Sequence, residues 1–276
     1  MIESQALRVD KHRVRHAFEK SAACYDSVAV LQQEVARRML ERLELIRIKP
    51  ATLADIGCGT GQIARALLQR YRGARVIALD IALSMARMAD AVGSWLRRPL
   101  AVCGDAESLP LANMSLDMIC SNLMLHWCND LNCVLYELHR ALAPGGLLLM
   151  TTLGPDTLKE LRTSWAEVDS YVHVNGFADM HDVGDALLHA GFANPVIDLE
   201  MIRLTYPDAR QLMRELKLLG AHNSTHGRAR GLTSKDRLQR VLQAYERFRT
   251  PEGVLPASFE VIYAHAWAAA QRQSTS

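Results

Sequence analysis

The 276-residue chain is 49% hydrophobic and 22% charged, an ordinary globular balance with room for one large domain or two small ones. Its formal charge of +2 gives no global reason for nucleic-acid binding, and no run approaches the roughly 18 apolar residues of a membrane span. The charged stretch from Glu3 to Arg15 does not read as a secretory leader, and the six cysteines form no C-x-x-C pair, so a cytoplasmic protein with reduced thiols and no metal is expected.

A helical lead-in at residues 5–24 comes first, with Phe18 as apolar anchor and Lys11, Arg13, Arg15 and Lys20 facing solvent. Ser21-Ala-Ala-Cys-Tyr25-Asp26 interrupts it. Leu31, Val35, Met39, Leu43 and Ile46 then recur at helical spacing, which predicts a helix over 30–46 closed by Pro50. Strands follow at 53–56, 75–79, 100–103, 116–121 and 147–153. Helices between them are expected at 62–71, 84–95 and 131–142, and Pro144-Gly145-Gly146 reads as the turn into the fifth strand. Cys103 and Cys120 fall inside strand-like runs and read as buried. Beyond the fifth strand come helices at 155–169 and 181–190, a strand at 196–204, a helix-rich stretch at 208–249 and a last strand at 259–268.

Short apolar strands alternating with amphipathic helices predict an α/β fold, a parallel sheet wound with helices on both faces. Right-handed crossovers gather the strand C-termini on one edge, where open sheets bind ligands. That edge collects Asp55, Asp80, Asp105 with Ala106, and Asn122. It also holds a turn in which Gly57, Gly59 and Gly61 allow close backbone approach to a ligand. The turn alone leaves the ligand open, because Gly59-x-Gly61-x-x-Ala64 also satisfies a looser dinucleotide pattern. Asp80, 19 residues after Gly61, can hold ribose hydroxyls of either cofactor class. A carboxylate at Asp55 would repel a pyrophosphate and attract the ammonium of a methionine moiety.

These residues resemble the class I S-adenosylmethionine-dependent methyltransferases. The matching elements are Asp55-Ile-Gly57-Cys-Gly59-Thr-Gly61, Asp80 with Ser84 and Met85, and Gly104-Asp105-Ala106-Glu-Ser-Leu-Pro110. Asp117 to Asn122 and Pro144-Gly145-Gly146 complete the set. The resemblance implies a doubly wound, seven-stranded, mostly parallel Rossmann-like sheet whose last strand is antiparallel. It also implies S-adenosylmethionine as methyl donor, with Asp80 on the ribose, Asp105 on the adenine amine and Met85 beside the adenine. A single domain over 1–276 is expected: a helical lid at 1–50, a cofactor half at 51–155, and a substrate half at 156–276 with an insertion at about 207–250.

Three further segments narrow the resemblance: Phe18 to Gln32, Ser121 to Leu131, and Arg214-Glu-Leu-Lys217 through Gly231-Leu232. They are similar to the malonyl-acyl-carrier-protein O-methyltransferases of biotin synthesis. What that implies is methylation of the free carboxylate of a malonyl thioester, which masks its charge for chain elongation. Tyr25 would then close over the cofactor and touch the donor or the substrate carboxylate, and His126 and Trp127 would flank the methyl-transfer position, Trp127 walling the acyl pocket and His126 donating a hydrogen bond to the malonyl carboxylate. No general base is needed, since the carboxylate is already ionised at neutral pH. Residues 203–249 carry 11 Lys/Arg against 4 Asp/Glu, a net +7, with Arg210, Arg214 and Lys217 on one helix face. This basic face suits an acidic carrier protein, while Lys217, His222 or Arg228 could pair with the malonyl carboxylate. A methyltransferase for a free small carboxylic acid, or a non-catalytic module holding an acidic partner, are the alternative readings.

Overall fold

The computed structural model describes residues 8–221, 223, 225 and 234–269; His222 and Arg228 lie outside the described residues. Seven strands form one sheet in the order β3-β2-β1-β4-β5-β7-β6. They are β1 Thr52–Ile56, β2 Arg75–Asp80, β3 Leu100–Cys103, β4 Leu116–Asn122, β5 Leu142–Leu153, β6 Phe192–Tyr206 and β7 Leu255–Ala268. Neighbours among β1 to β5 pair in parallel, and β7 runs antiparallel to both β5 and β6. The strand order reverses between β1 and β4. That switch point opens a crevice at the strand C-termini, where the loops after the two strands part.

Side chains along the strands alternate between two cores, as a two-residue period requires. Leu53, Leu147, Leu149, Val261 and Tyr263 face one core. Ala54, Leu148, Met150, Ile262 and Ala264 face the other. Against the first pack α3 (Val30–Glu44) and α4 (Gln62–Arg70). Val35, Met39 and Leu43 of α3 are fully buried at helical spacing. Against the second core pack α6 (Leu131–Ala141) and α8 (Met180–His189).

The N-terminal segment forms α1 (Lys11–Ser21) and the short α2 (Tyr25–Val28). Asp10 caps α1 by accepting the Arg13 N–H at 3.2 Å. The other helices are α5 (Leu83–Asp90), α7 (Lys159–Ala166), α9 (Ala209–Leu218) and α10 (Lys235–Tyr245). The helical insertion lies between β6 and β7, as read from the sequence.

Several local expectations are corrected. The helix expected over 84–95 stops at Asp90, and Trp95 and Leu96 beyond it stand exposed. Helix 155–169 shrinks to Lys159–Ala166. Gly154 and Asp156 instead donate their N–H groups to Glu260, and Thr157 its hydroxyl, so the backbone there is tied to β7. Pro144-Gly145-Gly146 is no separate turn. It lies inside β5 as an irregularity, where the register steps from Leu116 opposite Leu142 to Met118 opposite Leu147. Antiparallel pairing lengthens β6 and β7 beyond their apolar cores, because each supplies the other's hydrogen bonds. Cys120 is buried, but Cys103 is exposed on the edge strand β3. No helix among the described residues is long and apolar enough to cross a membrane.

Candidate active site

Buried polar backbone must find partners, and the turn after β1 finds them in the strands beside it. Gly57 and Cys58 donate their N–H groups to the Leu79 carbonyl at 2.8 and 3.0 Å. Gly59 donates to Asp80 Oδ2 at 2.9 Å, and the other Asp80 oxygen accepts the Ala82 N–H at 2.9 Å. The turn needs glycine for two separate reasons. At Gly57 φ is +75°, and a Cβ would stand 2.3 Å from Met124 Cγ. At Gly61 φ is +88°, and a Cβ would meet the Ala89 backbone of α5 at 2.8 Å.

A cavity of about 720 Å³ opens beside this turn. Of the residues read from the sequence, it brings together Tyr25, Gly57, Gly59, Asp80, Met85, Asp105, Ala106, Asn122, His126, Trp127 and Lys217. Asp55 and Gly61 stand behind this wall. Asp55 is 1% exposed, and its carboxylate accepts the Ala64 N–H at 2.9 Å. It thereby caps α4, whose N-cap residue Gly61 has no side chain to do so. Burial pushes Asp55 up to about 7 and Asp80 up to about 6.

The N-terminal helix is built into the site. Lys11, read from the sequence as solvent-facing, is drawn inward to a half-buried position. Its ammonium lies 2.6 Å from each Asp105 carboxyl oxygen and also pairs with Glu107. Burial opposes its charge, but the hydrogen bonds and charges of those two carboxylates prevail and hold it above the ordinary lysine range. Glu19 reaches across to α5 and accepts the Leu83 and Ser84 N–H groups at 2.6 and 3.0 Å. Val9 and Asn129 exchange two hydrogen bonds. Asp26 accepts the Thr60 hydroxyl at 2.6 Å and so ties α2 to the glycine turn.

An aromatic series crosses the cavity. Phe18 meets Tyr25 at 6.4 Å and Trp127 edge-on at 5.3 Å; His126 meets Trp127 at 5.2 Å and Phe177 at 5.7 Å. Burial, with Asp80 and Asp26 nearby, raises the Tyr25 hydroxyl well above its usual range, so it stays protonated. Burial pushes His126 down to about 3, so the imidazole is neutral at physiological pH.

The end of β4 is held by a small network. Asn122 Nδ2 donates to the Gln32 carbonyl at 3.1 Å, and its Oδ1 accepts the Thr151 hydroxyl at 2.8 Å. Thr151 Oγ1 in turn accepts the Leu123 N–H at 2.9 Å. Leu123 sits at φ +50°, a left-handed conformation that a leucine holds only under such constraint. Asn122 thus fixes the loop that presents Met124, His126 and Trp127.

Beyond these rings the cavity becomes apolar, lined by Leu153, Leu158, Leu161, Leu204, Met213 and Phe259. Sequence reading missed these residues, and missed Gln32, Asn175 and Glu215, which also line the cavity. Apolar periodicity marks the first group as core without saying which side meets a void. Lone polar residues in helices and loops carry no motif. Gln32 Oε1, His126 Nδ1 and Asn175 Oδ1 are buried without a hydrogen-bond partner among the described residues. Each such atom costs about 1–3 kcal/mol until something binds it.

Arg210 and Arg214 lie outside the cavity, exposed on α9, where Arg210 donates to Gln239 at 3.3 Å. Lys217 is exposed yet lines the cavity, which places it at the mouth. Other basic residues of the insertion are occupied: Arg237 pairs with Asp169, Arg247 with Glu167 and Arg249 with Glu246.

The geometry matches known proteins at three levels. A methyltransferase domain model matches residues 54–150, from β1 through β5. The YcgJ protein of Bacillus subtilis shares the fold with a TM-score of 0.59 at 16% identity, covering 86% of this chain and 98% of that one. A malonyl-[acyl-carrier protein] O-methyltransferase of Gallionella capsiferriformans is 52% identical over 270 residues, 96% of this chain and 93% of the relative. One from Laribacter hongkongensis is 51% identical over 277 residues, 98% and 93% of the two. These matches span 96% and 98% of the chain, and on them the chain belongs to the malonyl-[acyl-carrier protein] O-methyltransferase family.

Proposed function

We propose that this O-methyltransferase methylates the free carboxylate of a malonyl thioester on acyl carrier protein, with S-adenosylmethionine as donor. The observation that carries this reading is the continuity of one cavity. It runs from the carboxylates at the sheet edge, past the aromatic series, into an apolar chamber whose mouth lies under the basic helix α9. The resulting methyl ester would be extended toward the pimeloyl precursor of biotin.

The residues present fit that donor. Gly59 lines the cavity, and a Cβ there would meet nothing closer than the Tyr25 ring at 3.9 Å, so the backbone is open to the methionine end. Asp80 and Asp105 offer carboxylates to ribose and adenine, and Met85 and Phe18 offer apolar faces. When bound, the donor supplies a methyl group activated by its sulfonium.

Everything else falls to positioning. A malonyl carboxylate is ionised at neutral pH and needs no base. Tyr25 and His126 are both uncharged there and take no proton from it. Holding nucleophile and methyl group together supplies most of the acceleration, and the aromatic walls exclude water from the anion. Arg210 and Arg214 would steer an acidic carrier protein to the mouth. The test is incubation with labelled donor and malonyl-carrier protein, malonyl-coenzyme A or free malonate. Methyl ester is expected on the carrier-bound substrate at the highest kcat/KM, and its absence would overturn the reading.

A further inference from the structure

Three polar side chains on the cavity wall stand without an assigned partner. Gln32 belongs to α3, His126 to the turn after β4, and Asn175 to the segment between α7 and α8. Each holds a buried atom without a partner among the described residues: Gln32 Oε1, His126 Nδ1 and Asn175 Oδ1. Asn175 retains only 7% of its surface. Buried polar atoms in folded proteins are nearly always paired, so three around one cavity call for a ligand. The three segments also meet. Asn122 ties the end of β4 to the Gln32 carbonyl, and the His126 ring touches Phe177, two residues from Asn175.

The charge of this wall is as informative as its polarity. Among the described residues, the lysines lining the cavity are Lys11 and Lys217, and no arginine lines it. Lys11 is held by Asp105 and Glu107, and Lys217 is exposed at the mouth. His126 is neutral because it is buried. Each of the three groups can present an N–H to an anion: the two amides by a half-turn that puts the nitrogen where the unpaired oxygen stands, and the imidazole with its proton on Nδ1. A tight ion pair would hold the carboxylate's electron pair on oxygen and blunt its attack. Neutral donors orient the oxygen with less quenching.

Resting on the function proposed above, we infer that Gln32, His126 and Asn175 form an uncharged clamp for the malonyl carboxylate and set the preference for a free acid. The carboxylate oxygen forms the new bond to the methyl carbon, the methyl–sulfur bond breaks, and its electron pair stays on sulfur. No proton moves. Esterification removes the anion that the clamp holds, so the product is released. A thioester without a terminal carboxylate has nothing for the clamp to grip.

The full-length variants Gln32→Leu, His126→Phe and Asn175→Leu test this, with kcat and KM on malonyl-carrier protein and S-adenosylmethionine affinity by calorimetry. Donor affinity is expected to stay within about 2-fold of wild type, while kcat/KM falls about 10- to 100-fold in each. Asn175→Asp should lose more than Asn175→Leu, because it sets a like charge against the substrate. Variants that keep wild-type kcat/KM, or an Asn175→Asp as active as wild type, would overturn the clamp. A variant that loses donor binding together with activity removes its residue from the clamp and assigns it to the fold. Wild-type protein that makes no ester from malonyl-carrier protein defeats the proposed function itself, and the clamp with it.

Discussion

At Asp55 a carboxylate is sealed inside the sheet with a hydrogen bond from the Ala64 N–H, and burial pushes it up to about 7 against an ordinary 3.8. The folded protein therefore binds this proton more tightly than the unfolded chain does. Stability from the group is fully present below the unfolded value and is lost as pH rises through about 7. Asp55→Asn keeps an acceptor for Ala64 and removes the titration. Its unfolding free energy should fall less than wild type's between pH 4 and 7, with a relative gain of about 2–4 kcal/mol at pH 8. Denaturant titrations across that range give the answer, and parallel pH profiles would refute it. Gly57 gives a second test. Gly57→Ala places a Cβ 2.3 Å from Met124 Cγ at a φ of +75°. A loss of about 2–3 kcal/mol is expected by thermal or chemical unfolding.

Helix α1 has only Val14, Ala17 and Ser21 buried, too little apolar surface to dock it strongly by itself. Polar ties supply the remainder: Lys11 to Asp105 and Glu107, Glu19 to the start of α5, and Val9 to Asn129. Glu19 does for α5 what an N-cap side chain would do, since the N-cap residue Ala82 makes no side-chain hydrogen bond. Glu19→Ala should cost about 1–2 kcal/mol. Combined with Lys11→Ala, it should speed limited proteolysis between α1 and α3 while amide exchange in β1 and β4 stays slow. Equal cleavage rates in variant and wild type would show that apolar contacts suffice. Lys11 also holds Asp105, the carboxylate proposed for adenine, and on that proposal donor binding and the seating of α1 would be coupled.

Across the whole molecule, charge is divided between the sheet edge and the insertion. The edge presents Asp80 and Asp105 to the cavity, while α9 presents Arg210 and Arg214 to solvent. Arg237, Arg247 and Arg249 are spent on internal ion pairs, so the proposed docking of a carrier protein falls to the exposed bases that remain, Arg210 and Arg214 among them. Reversing both exposed charges, Arg210→Glu with Arg214→Glu, should raise KM for the carrier-bound substrate about 10-fold at low salt. The effect should fade toward 0.5 M salt as screening shortens the reach of the field. Turnover of malonyl-coenzyme A should change little. A salt-independent effect, or none, would remove electrostatic docking from the account.

Much of this was legible in the sequence because it rests on local rules. Alternating apolar runs marked the sheet, and Gly57, Gly59, Asp80, Asp105 and Asn122 marked the edge that lines the cavity, since residues at strand ends fall together whenever the strands are parallel; Asp55 and Gly61, read with them, stand behind that wall. The insertion between the last two strands was equally plain from its basic helices. The sequence by itself thus determined the order of the strands, the turn that faces the cavity and the family. Tertiary structure decided which side chains reach the site and what each does there. Lys11 lies 94 residues from Asp105, and Asn122 lies 90 from Gln32. Asp55 faces the N-terminus of α4, and Asn175 lines the cavity in a segment whose Phe177 meets the His126 ring, 51 residues away. No periodicity records such meetings, because burial, partner and charge state belong to the packed molecule and not to any one segment of it.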